Sequence, residues 1–285
     1  MTARPLLFHI SDIHFGLENN RALDWVAAEI AARRPDAVAI TGDLTMRARH
    51  REFDAARKWI NSLDVPVTVE IGNHDMPYFN PIERFANPYK RFRGMEDKVE
   101  REVDLPGISI VPLKTVRRWQ PRLNWSKGWV THAALKQCLD AIDALPEGTT
   151  ILVAAHHPLV EVGTHGTALT RHGDHTLAEL ARRKVCAVLS GHVHDAFDLT
   201  QHTPQGRIRM IGAGTLSQRI RSTPQSFNEL TFVEGKLCVE VRNLEHVDTA
   251  DMLIDGVPED ATPPRDPGDP VAPVGKVPRT DPPVY

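Results

Sequence analysis

Five short stretches gather carboxylates and imidazoles: "SDIH" with Asp12 and His14, "TGD" with Asp43, "GNHD" with Asn73, His74 and Asp75, "AAHHP" with His156 and His157, and "SGHVH" with His192 and His194. Carboxylate and imidazole are ligands for Mn, Fe and Zn, and the absence of cysteine from the set disfavours a structural zinc site. Seven such groups exceed the four ligands of one tetrahedral ion, whereas two metals sharing a carboxylate would use all seven. In Asp12/His14 and His192/His194 the members stand two residues apart. On an extended strand they would point to the same side and reach one cluster. Glycines before Asp43, Asn73 and His192 would permit tight turns and close backbone approach.

The elements that must carry these residues follow from hydrophobic periodicity. Short runs rich in Leu, Ile and Val ("PLLFHISD", "DAVAITGD", "VPVTVEIGNHD") alternate with "NRALDWVAAEIAARRP" and "HREFDAARKWINSLD", whose apolar residues recur at three- and four-residue steps. This predicts βαβαβ with buried parallel strands. A helix near 131–145, the strand "TTILVAA", a helix near 176–183 and the strand "VCAVLS" continue the pattern. Each chemistry-bearing stretch ends a predicted strand, and in parallel α/β sheets the carboxyl ends share the ligand-binding edge. Beyond Gly191, shorter alternating runs separated by "TPQG" and "EGK" predict antiparallel hairpins. Two sheets are expected, the first parallel and the second more antiparallel, in a layered sandwich with helices outside.

The formal net charge of −3 is uneven: seven acidic and three basic residues lie from Asp251 onward, leaving the preceding body near +1. A near-neutral body argues against a broad nucleic-acid face. Nine of the 22 prolines fall between Pro258 and Pro283, so residues 1–248 are expected to form one catalytic domain and 249–285 a Pro/Asp-rich flexible tail. The opening apolar stretch is too short for a signal peptide, and no run approaches a membrane span. Cys138, Cys186 and Cys238 are odd in number and far apart, which reads as buried thiols in a reducing cytoplasm.

The order D-x-H, GD, GNHD, H and GHxH across roughly residues 6–216 resembles the calcineurin-like metallophosphoesterases, most of all the bacterial class III cyclic-nucleotide phosphodiesterase branch. The resemblance implies an α/β fold, a four-layered αββα sandwich of two mixed sheets with flanking helices. By resemblance, Asp12, His14, Asp43 and His194 hold one divalent metal, and Asp43, Asn73, His156 and His192 the second, with Asp43 as the bridge. His156 is preferred to His157 as the first residue after its strand. Mn and Fe are the first metals to consider, with Zn, Mg and Co also served by such ligands. Two such ions can hold a bridging hydroxide and clamp the phosphoryl oxygens. Asn73 and His74 would touch substrate phosphate, with Asp75 orienting and charging His74.

The implied activity is hydrolysis of a small phosphodiester such as cyclic AMP. A pyrophosphatase acting on a nucleotide-lipid of the UDP-diacylglucosamine type is the nearest alternative, to be favoured by an apolar, basic-rimmed cap. A monoester or protein phosphatase is weaker, and a metal-free scaffold is disfavoured because the ligand set is complete. A homodimer is the open assembly option.

Other residues carry less chemistry. His9 reads as a packed strand residue, and His165, His172 and His175 as solvated loop rather than lid. Trp119, Trp125 and Trp129 interleave with Arg117, Arg118, Arg122 and Lys127, either packing an irregular hairpin or stacking a nucleobase beside phosphate-binding arginines. Arg219 and Arg221 are candidate substrate contacts, with a solvated edge as the alternative.

Overall fold

The computed structural model describes residues 4–77, 80–121, 124–233 and 235–245. Its elements run β1 (Leu6–Ile10), α1 (Asn20–Arg33), β2 (Ala37–Ile40), α2 (His50–Ser62), β3 (Val67–Val69), α3 (Pro81–Ala86), α4 (Lys90–Val99), β4 (Ile108–Pro112), α5 (His132–Asp143), β5 (Thr150–Ala154), α6 (Gly173–Arg182), β6 (Ala187–Ser190), β7 (Phe197–Thr203), β8 (Gly206–Gly212), β9 (Ser226–Val233) and β10 (Lys236–Asn243). They form two five-stranded sheets, ordered β10-β9-β1-β2-β3 and β4-β5-β6-β8-β7.

Layering follows from the alternation of side chains along each strand. In β1, Phe8 and Ile10 join an apolar cluster with Leu23, Val26 and Ile30 of α1 and Phe53, Ala56 and Ile60 of α2. Leu7 faces the other way, into a cluster with Leu152 of β5, Ala187 and Leu189 of β6, and Ile211 of β8. The opposite faces of those strands, Val153, Val188 and Met210, pack on Leu135 and Ile142 of α5 and Leu177 and Leu180 of α6. The result is the helix–sheet–sheet–helix sandwich that the resemblance implies. α1 starts where the Asn19 side chain accepts from the Ala22 amide and stops at Arg34 in the left-handed region, a normal pairing of N-cap and C-terminal turn.

The expected division into a parallel and an antiparallel sheet is corrected. Each sheet contains parallel strands (β1-β2-β3; β4-β5-β6-β8), and each takes one hairpin at an edge. β9 runs antiparallel beside β1 and is almost fully buried, while its partner β10 lies outside with alternating exposure. β8 lies parallel to β6, and β7 closes that edge. The alternating runs do form hairpins, but their destination depends on which sheet edge is open, which local pattern does not encode. The structure also adds β4, α3 and α4, for which the sequence reading had no element. Of the thiols expected to be buried, Cys138 is, Cys186 is half-buried, and Cys238 is exposed on edge strand β10. No helix among the described residues is long and apolar enough to cross a membrane. The tail boundary at 248/249 and Arg122 lie outside the described residues.

Candidate metal centre

The loops leaving β1, β2, β3, β5 and β6 meet at one edge, as parallel strands require. They bring together Asp12, His14, Asp43, Asn73, His74, His156 and His194, with His192 close behind. Asp43 sits in the middle: its Oδ2 lies 3.8 Å from His14 Nε2 and 3.3 Å from His156 Nε2. On one side Asp12 Oδ1 is 3.2 Å from His194 Nε2 and 3.6 Å from His14 Nε2. On the other, Asn73 Oδ1 is 3.2 Å from His156 Nε2. The His192 ring packs edge-on to His156 at 5.2 Å, and its amide donates to Asp12 Oδ2 at 2.8 Å.

The paired residues reach the cluster by a route other than the expected one. β1 ends at Ile10 and β6 at Ser190, so neither pair rides an extended strand. Instead Asp12, His14, Asp43, His192 and His194 all have left-handed backbone, φ between 51° and 70°. Such a conformation costs about 1–3 kcal/mol per non-glycine residue and collects at functional sites. Two glycines are required by close approach. A Cβ on Gly72 would lie 2.1 Å from Asp43 N and Oδ1, and one on Gly191 would lie 1.8 Å from Ser11 Oγ and 2.4 Å from Asp12 Oδ2.

Imidazole orientation is set from behind. His156 Nδ1 donates to the Thr41 carbonyl at 2.8 Å and His194 Nδ1 to the Arg219 carbonyl at 2.6 Å. These bonds leave both Nε2 atoms directed at the carboxylates, the arrangement found behind metal-binding histidines. His157 is different: its Nε2 donates to the Ser126 carbonyl and its Nδ1 accepts from Thr115 Oγ1, each at 2.8 Å. With both nitrogens engaged, it serves as a tie between β5 and the 124–126 segment.

Charge is concentrated here. Burial opposes ionisation of Asp12, yet His194 and its imidazole neighbours hold the carboxyl well below the usual range. Asp43 is likewise held down, against burial, by His156 first. Burial disfavours the His156 cation, but Asp43 outweighs it and pushes the imidazole up to about 9. Burial lowers His14 and His192 below the ordinary imidazole range, and burial with the neighbouring His156 lowers His157 to about 3. Asp12 Oδ1 and His14 Nδ1 are buried without a hydrogen-bond partner. An orphaned carboxylate oxygen ringed by imidazole nitrogens suits a cation. Among the described residues four overlapping triplets, including Asp12/His14/His194 and Asp12/Asp43/His156, have ligand atoms within 4.8 Å of one another. The donor set fits divalent metal.

Asp75 does not touch the His74 ring, which corrects the expectation that it orients and charges it. Its carboxylate accepts from the amides of Leu44, Thr45 and Gly72 and from Thr45 Oγ1. Burial and the Asp43 charge raise Asp75 to about 6 against those bonds. It clamps the β2 and β3 loops together, while the Met46 carbonyl orients His74 through Nδ1 at 2.8 Å. His74 Nε2 then accepts from the Arg219 guanidinium at 3.1 Å, and the same group lies 3.5 Å from His14 Nε2. Asp195, accepting from the Ser222 amide and hydroxyl, straps the Arg219 loop in place. Arg221 is not brought in: it is exposed, and its guanidinium lies by Gly166. His9 is buried between Thr41 and Asn228, and burial lowers it to about 3. His165, His172 and His175 are exposed.

A cavity of about 660 Å³ opens over the centre, lined by Met46, Asn73, His74, Arg84, Asn124, Trp125 and Ser126. Sequence reasoning missed Arg84, Met46, Asn124 and Ser126. Met46 and Ser126 act through backbone carbonyls, which leave no signal in residue type, and Arg84 sits in a six-residue helix with no motif.

A family model described as calcineurin-like phosphoesterase matches residues 6–196. The glycerophosphodiester phosphodiesterase GpdQ of Enterobacter lignolyticus is 23% identical over 77% of this chain and 79% of its own length. A probable cyclic nucleotide phosphodiesterase of a Synechococcus species is 27% identical over 66% of this chain and 72% of its own. A dimetal phosphatase from Danio rerio superposes with a TM-score of 0.63 at 14% identity, over 84% of this chain and 96% of that one, a likeness of fold.

Proposed function

This chain belongs to the calcineurin-like phosphoesterases, hydrolases of phosphate esters, and from that premise we propose that it is a two-metal phosphodiesterase acting on a small diester such as a cyclic nucleotide. The observation that carries the two-metal reading is the position of Asp43 Oδ2 between His14 and His156. Asp12, His14, Asp43 and His194 would hold one cation, and Asp43, Asn73, His156 and His192 the other. Mn and Fe are the metals of choice for this mixture of carboxylate and imidazole. Bound divalent metals would supply an activated water and neutralise phosphoryl charge.

The protein's own groups do the rest. His74 and Arg219 form a hydrogen-bonded pair beside the centre, where the guanidinium N–H groups would grip phosphoryl oxygens, and His74 would protonate the leaving oxygen only after Nε2 takes up a proton and turns from Arg219 to the substrate. Asp75 acts through the backbone, fixing the loop on which Asn73 and His74 stand. The cytoplasmic placement rests on unpaired Cys138, Cys186 and Cys238, and residues 249–285 are proposed to be dispensable for the chemistry.

The diester reading is supported by the two phosphodiesterase relatives. Its test is hydrolysis of bis-p-nitrophenyl phosphate against p-nitrophenyl phosphate by stripped protein titrated with Mn. Metal-dependent preference for the diester is the expected result, and preference for the monoester would overturn it.

One observation favours a second reading. Ile82, Phe85 and Trp119 are 80%, 45% and 46% exposed on the segments that carry Arg84 and Arg118. The exposed Arg118 donates to the Phe85 carbonyl at 3.0 Å, so apolar and basic side chains share a surface there, suited to a nucleotide-lipid pyrophosphatase. Binding to anionic vesicles that is lost in Ile82→Ser/Phe85→Ser would support it, and absence of vesicle binding would remove it.

A further inference from the structure

One wall of the cavity has no part in the hydrolytic chemistry, yet it is built with care. Trp125 lines it, with the Arg84 guanidinium over its ring at 5.2 Å from the centroid and Phe85 edge-on at 6.3 Å. Arg84 is itself 6% exposed and donates to the carbonyls of Arg118 and Pro77. The segment below is fastened to the metal centre: the Ser126 carbonyl takes a hydrogen bond from His157, the residue after His156. Gln120 holds the Lys127 carbonyl at 2.6 Å. A Cβ on Gly128 would come within 2.8 Å of the His157 side chain, so this segment packs flush against it. Asn124 Oδ1 accepts from the Ser126 amide and hydroxyl, which leaves its amide NH₂ as a donor.

A phosphoryl group and a glycerol need little of a cavity of about 660 Å³, which lies in the range of pockets that enclose drug-sized ligands. A clamped indole, a guanidinium stacked on it, an amide and a hydroxyl are the groups that recognise a flat heteroaromatic ring: faces stack, edges hydrogen-bond. We infer that Trp125, positioned by Arg84, is a specificity residue that stacks the nucleobase of the substrate. The inference rests on the phosphodiesterase reading and selects within it: a nucleoside diester rather than a glycerol diester. It holds equally for a nucleotide-lipid.

The test pairs binding with turnover. Calorimetry measures AMP and glycerol 3-phosphate on Mn-loaded protein, and kinetics measure cyclic AMP and glycerophosphoethanolamine. The parent protein should bind AMP the more tightly. Trp125→Ala should weaken AMP by about 5- to 150-fold, the range a base–aromatic stack supplies, and leave glycerol 3-phosphate within about twofold. Trp125→Phe should restore part of the loss. Trp125→Leu keeps bulk without a π face and replaces the alanine variant should that one unfold. Equal weakening of both ligands, or no weakening, overturns the inference. Trp125-dependent AMP binding without turnover of either diester would keep the stacking role and reject the diesterase reading. Turnover of both diesters without a Trp125-dependent preference would do the reverse.

Discussion

The two walls of the cavity are made differently. Behind the Asn73 and His74 side of it, Asp12, His14, Asp43, His192 and His194 stand at the ends of buried strands in left-handed backbone, fastened by carbonyls and by glycines that admit no side chain. On the other side, Arg84, Asn124, Trp125 and Ser126 come from a short helix and an irregular segment, held by stacking and by hydrogen bonds to carbonyls and to one another. Strained, over-determined geometry suits groups that must hold their positions to a fraction of an ångström. Irregular segments on a rigid scaffold suit recognition, which can vary without disturbing the chemistry. The metal wall should therefore fail abruptly when altered, and the recognition wall by degrees.

The largest effect is expected at Asp43, the carboxylate both halves of the centre share. Asp43→Ala should remove turnover by about 10³-fold or more and deplete bound metal, checked by steady-state rates and metal analysis; a variant that keeps both would dissolve the distinction between the walls. His74→Ala should lower turnover by about 10²-fold while the metal content stays near that of the parent, because Met46 and Arg219, not a carboxylate, hold its ring. Loss of metal in that variant would move His74 into the ligand set. Gly72→Ala should cost about 1–3 kcal/mol of stability, read from thermal melts, since its Cβ would meet Asp43 backbone at 2.1 Å. A melt unchanged from the parent would show that the loops can part.

A smaller, pH-dependent effect is expected at Glu70, at the carboxyl end of β3. Burial first, then Glu96 and Glu100, push its carboxyl up to about 8, against the pull of Lys114. A raised folded-state pKa means that the native chain binds the proton more tightly than the unfolded one. Stability is therefore lost as pH rises from the ordinary glutamate range through about 8. Glu70→Gln should match the parent near pH 4, below the ordinary glutamate range, and exceed it in stability near pH 8.5, by on the order of 1–2 kcal/mol. A parent as stable as the variant at the higher pH would show that Glu70 finds a partner. Smallest of all, truncation after Glu245 should leave turnover within about twofold; a collapse would bring the C-terminal segment into the site.

What could be read from sequence divides along the same line as the walls. Asp12, Asp43 and the histidines were legible because their chemistry is carried by side-chain type and because each ends an apolar run, which fixes their common edge. The left-handed backbone of Asp12 and His194 was not, since it arises only when several loops compete for one small volume. Asp75 looked like a partner for its neighbour His74, but its oxygens turn to Leu44, Thr45 and Gly72, donors that any residue type could have supplied. The hairpins of β7–β8 and β9–β10 were legible as hairpins; their assignment to different sheets depended on which edge stood open. Trp125 was visible as one tryptophan among arginines, yet its partner proved to be Arg84, 41 positions earlier, a pairing that no spacing rule anticipates.

The most direct test of the central claim is electron paramagnetic resonance of Mn-loaded protein alongside metal stoichiometry. A centre bridged by Asp43 predicts two Mn per chain with a spin-coupled signal that is lost in Asp43→Ala. One Mn per chain, or two with the spectrum of isolated ions in the parent protein, would contradict it.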